Sequence, residues 1–224
     1  MDLLYWWFDI SWRVLRTSYL LIAWNLFLAV IPLVLSVWLF RIAERRSIFW
    51  WLTFAIFVAF LPNAPYILTD IIHYVKITRF DIPESVVIFT LTPQYFLFLL
   101  SGLQCYVMSL LNLGYYLERR DQERFILPVE LLSHFLSAVG IYLGRFLRFN
   151  SWDFVTDPDG LAQSLAQSLS HKQPILATIV TFLILTPLYW LTKQINLGLV
   201  LRYQAHQADR RKGDRFPSQD RIKK

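Results

Sequence analysis

Four stretches of this 224-residue chain contain no Asp, Glu, Lys or Arg: residues 17–40, 47–69, 85–117 and 173–192, which run 24, 23, 33 and 20 residues. About 20 residues of α-helix cross a hydrocarbon layer of about 30 Å, so each window is long enough to span a bilayer. Charge interrupts the sequence of an ordinary water-soluble globule far more often. Residues 125–144 form a weaker fifth window that contains Glu130 and His134. The windows predict an all-α polytopic transmembrane helix bundle of about five spans. Composition agrees, with 56% hydrophobic and 17% charged residues and a mean hydropathy of +0.42.

Charge is unevenly placed. Residues 193–224 hold nine of the 22 basic side chains and three acidic ones, a surplus equal to the whole net charge of +6. A flank after a last span produces this pattern, so no nucleic acid is inferred as a partner. The chain divides into an interfacial N-terminal segment (1–16), a transmembrane helical domain (17–192) and a basic cytoplasmic tail (193–224). With five spans, the segments on the tail's side carry fifteen Lys and Arg against seven on the other side. The positive-inside rule then places the N-terminus outside and the C-terminus inside in a multi-pass protein. Cys105 is the lone cysteine and reads as a small buried hydrophobe.

Polar residues inside the windows carry the remaining information. The 85–117 window reads as one tilted helix, bent at Pro93 and leaving the bilayer near Asn112. Within it Gln94, Ser101 and Gln104 form a stripe suited to interhelical hydrogen bonds, and Ser133, Ser137, Gly140 and Gly144 form a small-residue ridge on the fourth span. Glu130 and His134 share a face, and Glu130, six residues beyond Arg124, is expected to reach toward the inner interface.

The richest segment is FLPNAPYILTDIIHY, residues 60–74. Pro62 and Pro65 remove two backbone donors and must interrupt the helix, and the Asn63 amide is placed to satisfy carbonyls that lose their partners. Asn63 is therefore expected to matter more for stability than Asn112. If residues 66–73 are helical, Tyr66, Asp70 and His73 share a face with Thr69 beside them. The fourth window leads into GRFLRFNSWD, residues 144–153, which supplies Arg145, Arg148, Asn150, Trp152 and Asp153. Both segments end on the same side, so they are expected to form one site.

Through LPNAPYILTDIIH and GRFLRFNSWD, with the helices between them in order, the chain resembles a bacterial multi-span membrane protein family recorded as domain of unknown function 1361. The resemblance runs from about Asn25 to Leu191. It implies a multi-pass protein of a bacterial cell (inner) membrane and supplies no activity, substrate or cofactor.

The residues themselves point to an outward-facing polar site that binds an anionic group, such as a lipid or an envelope-precursor head. Asp70 and His73 are the candidate acid/base residues, and Asn63, Tyr66, Thr69, Arg145, Arg148, Asn150, Trp152 and Asp153 the ligand-binding ones. No metal site is assigned. The partners expected are membrane lipid and an anionic lipid-linked ligand. The alternative is a non-catalytic carrier or membrane assembly protein.

Overall fold

The computed structural model describes residues 3–147, 156, 159–160 and 172–215, and all its regular structure is helical. Five helices are long and apolar enough to cross a membrane: Leu4–Ile42, Ile48–Ile77, Glu84–Glu118, Glu123–Arg145 and Pro174–Gln207, numbered one to five below. Their outward surfaces are apolar. Leu20 is 78% exposed and Phe89 72%, with Trp24, Phe27, Phe96, Leu127 and Leu183 similarly open, whereas Phe57, Phe98, Tyr106 and Leu185 fill the interior. Apolar residues on both sides of each helix are stable only when the outer face meets lipid.

Spans one and three descend side by side in parallel. Trp7 Nε1 donates to Ser85 Oγ at 3.2 Å, Thr90 Oγ1 to Ser11 Oγ at 3.2 Å, Gln94 Nε2 to the Leu15 carbonyl at 3.3 Å, and Asn112 Nδ2 to Ser36 Oγ at 3.0 Å. The sequence separation stays between 76 and 79 throughout, which fixes one register. The N-terminal residues 3–16 are the opening turns of span one and pack on span three through Trp7 and Ser11.

The 85–117 window is one helix. Before Pro93 it widens into a π-helical turn over Val87–Leu91, and the Thr92 N–H and hydroxyl both reach the Val87 carbonyl. The wider turn accommodates a ring that clashes with a carbonyl one turn back and has no N–H to donate. Asn112 is buried, and its Oδ1 accepts from Arg41 Nε at 2.8 Å near the end of span one. Of the expected polar stripe, Gln94 and Gln104 bridge helices, the latter to Asn196 at 2.6 Å, while Ser101 bonds within its own helix.

Span two breaks where its prolines lie. Helix Ile48–Phe60 ends in a turn at residues 61–62, a short helix Asn63–Tyr66 follows, then a 3-10 turn Ile67–Asp70 and a last helix Ile71–Ile77. The Ala64 N–H donates to the Leu61 carbonyl at 3.3 Å, one residue short of the α-helical partner, and Asn63 Nδ2 takes up the Phe60 carbonyl at 3.0 Å. Irregular backbone at membrane depth needs such internal donors. Two glycines clamp the broken stretch: a Cβ at Gly140 would lie 2.7 Å from Pro62, and one at Gly102 would lie 2.8 Å from Ile67. The ridge on span four thus seats Pro62 at Gly140.

The last helix runs Lys172–Arg215 without a stop at residue 192. Lys193, counted above with the solvated tail, is only 19% exposed and pairs with Glu130 at 2.6 Å, so its charge is neutralised inside the bundle and the span continues past it.

Candidate functional site

Asp70 closes the 3-10 turn of span two and is 1% exposed. Its two oxygens are divided between neighbours. Asn25 Nδ2 of span one donates to Oδ2 at 2.6 Å, and Arg145 Nη2 of span four donates to Oδ1 at 2.7 Å. Arg145 is fixed further: its Nε donates to Thr69 Oγ1 at 3.0 Å, its Nη2 also reaches that hydroxyl, and its guanidinium lies 4.4 Å from the centroid of the Tyr66 ring. Thr69 passes its own proton to the Tyr66 carbonyl at 2.6 Å. His73 Nε2 lies 3.8 Å from Asp70 Oδ1 and is 32% exposed.

The local fold explains this convergence. Residues 63–77 stay helical through the break, so Tyr66, Asp70 and His73 line one face. Seating Pro62 at Gly140 brings span two against span four, within reach of Arg145. A carboxylate as buried as Asp70 is costly without a counter-charge, and the Arg145 guanidinium supplies it.

Of the ten residues singled out from sequence, the structure brings together Tyr66, Thr69, Asp70, His73 and Arg145. Asn63 sits on the same broken segment with its amide on the Phe60 carbonyl. Arg148, Asn150, Trp152 and Asp153 lie outside the described residues. Asn25 was missed. Its signal was that it is the only side-chain amide in the 17–40 window.

A second buried polar cluster joins spans three, four and five. Glu130 does not reach toward the interface as expected. It turns inward, and its Oε1 accepts from Tyr189 Oη and Lys193 Nζ, both at 2.6 Å. Removing either partner of such a pair would leave an uncompensated charge inside the bundle. One turn on, His134 Nδ1 meets Tyr106 Oη at 2.8 Å, and Ser137 Oγ donates to that hydroxyl at 3.4 Å. The His134 and Tyr189 rings lie 4.5 Å apart.

These features define a multi-pass helical membrane protein with buried, charge-paired polar clusters between its spans. The sequence model of a family described as "Protein of unknown function (DUF1361)" matches residues 24–186, and the chain belongs to that family. The matched region contains the whole Asp70 cluster, from Asn25 to Arg145, and ends before Tyr189 and Lys193. No curated protein and no solved structure matches the chain.

Proposed function

We propose that the protein resides in the bacterial inner membrane with its Asp70–Arg145 cluster turned away from the cytoplasm, and that the cluster binds the anionic head of a lipid or lipid-linked envelope precursor. One observation carries the reading. Arg145 is held in a fixed orientation by Thr69, Asp70 and the Tyr66 ring, remains 20% exposed, and has no partner for Nη1 among the described residues. An oriented guanidinium with a free edge is suited to bidentate or charge-assisted contact with phosphate or carboxylate. Asp70, engaged at both oxygens, is then a positioning residue for Arg145. His73 is the acid/base group that a ligand can reach.

The second reading, a non-catalytic carrier or assembly protein in which the cluster only locks the spans, is supported by that same full engagement of the Asp70 carboxylate. A pair of ligands separates the two. Polyprenyl phosphate should raise the thermal unfolding midpoint of the purified protein in detergent, and polyprenol of equal chain length should not. Equal shifts, or no shift with either, would leave only the locking role.

A further inference from the structure

At the end of the bundle away from Asp70, two consecutive tyrosines hold four arginines. Arg41 lies over the Tyr115 ring at 3.8 Å from its centroid while its Nε is held by Asn112, and Arg119 approaches the same ring at 5.8 Å. Arg46 Nε donates to the Tyr116 hydroxyl at 2.7 Å, and its guanidinium stands 5.6 Å from the Trp50 ring. Arg120 lies over Tyr116 at 4.8 Å. One of the two platforms is packed in place: Tyr116 is buried against Phe40 and Trp50, and Trp50 Nε1 is tied to the Leu39 carbonyl at 3.1 Å.

The four arginines are exposed, and Glu44, Glu118, Asp121 and Glu123 lie within a few residues of them in sequence. Even so, among the described residues no carboxylate comes within the 4.0 Å of an ion pair with any of the four. A ring contact occupies the face of a guanidinium and leaves its in-plane N–H groups for other acceptors. The position matters as much as the charge. Spans one and three end here and span two begins, and Ile48, Phe49, Trp51 and Leu52 project outward beside the arginines.

We propose that this arginine–tyrosine cluster is a binding site for the headgroups of anionic phospholipids, with the acyl chains lying along the exposed start of span two. Apolar side chains next to held guanidiniums match a molecule with a phosphate at one end and hydrocarbon at the other, which favours a lipid over a soluble anion. The site is separate from the Asp70 cluster.

Native mass spectrometry of the full chain, equilibrated with equal amounts of phosphatidylglycerol and phosphatidylcholine, tests this. The wild type should retain phosphatidylglycerol several-fold in preference. Arg46→Gln/Arg120→Gln should lose most of that preference, whereas Arg13→Gln/Arg79→Gln, which removes the same charge elsewhere, should keep it. Arg120→Gln alone, whose guanidinium contacts only the Tyr116 ring among the described residues, should show a partial loss and guards against misfolding of the double variant. Absence of preference in the wild type would overturn the proposal, as would equal losses in both double variants. Displacement of the lipid by millimolar glycerol phosphate would overturn the assignment to a lipid.

Discussion

Asn25 and Asp70, forty-five residues apart, meet at 2.6 Å and join span one to the broken segment of span two. Because Arg145 holds the other oxygen of the same carboxylate, one side chain ties together three spans. Replacing Asp70 by Asn keeps a similar shape and removes the counter-charge of Arg145. Asp70→Asn and Arg145→Gln should each lower the unfolding midpoint, and the double variant should cost less than the sum, with a coupling of about 0.5–3 kcal/mol in a double-mutant cycle. Strict additivity would mean that the pair contributes nothing jointly.

The seat of Pro62 makes a sharper steric prediction. At Gly140 a methyl group meets a proline ring at 2.7 Å, and a ring has little freedom to move aside. Gly140→Ala should destabilise the protein by about 1–3 kcal/mol, the usual cost of overpacking. Gly198→Ala, at a position with nothing within 4 Å, should be neutral or slightly stabilising. Thermal unfolding of the two variants in the same detergent compares them directly.

The buried Glu130–Lys193 pair should respond asymmetrically. Lys193→Met leaves an uncompensated carboxylate among Tyr189 and His134 and should destabilise strongly, on the order of 3 kcal/mol. Adding Glu130→Gln to Lys193→Met should recover part of that loss. A double variant less stable than Lys193→Met would show that the pairing is not what matters.

Much of the architecture was legible because a long run without charge has few physical solutions: the windows at 17–40 and 85–117 each fall within one span, as does 47–69 apart from Ser47, the cap of its helix. The meeting of Tyr66, Asp70 and Arg145 was legible too, since helical spacing and a shared side of the bundle bring those motifs together. What escaped depended on three-dimensional neighbours. Lys193 reads as the end of a window because its partner, Glu130, lies sixty-three residues away. Asn112 gives no sign in the sequence of its partners Ser36 and Arg41, more than seventy residues away on span one.

The two asparagines can be ranked by experiment. Asn112→Leu removes bonds to the buried Ser36 and the exposed Arg41 on span one and should lower stability by about 1–3 kcal/mol. A markedly larger loss for Asn63→Leu would show that the proline break, rather than the contact between spans one and three, limits stability.

The proposed orientation rests on the charge asymmetry and is open to labelling. In a Cys105→Ser background, a cysteine at Phe80, in the exposed loop between spans two and three, should react with an impermeant maleimide added outside intact cells. A cysteine at Arg215 should react only after permeabilisation. The opposite pattern would invert the bundle and turn the Asp70 cluster toward the cytoplasm.

The central claim is that Arg145, oriented by Asp70 and Thr69, is the contact for an anionic head group. Its most direct test is the dissociation constant of polyprenyl phosphate for the wild type and for Arg145→Lys, which keeps the charge but loses the planar fork. The account predicts at least about tenfold weaker binding for Arg145→Lys, a loss of about 1.4 kcal/mol. Equal affinity in the two proteins, with both folded, would contradict it.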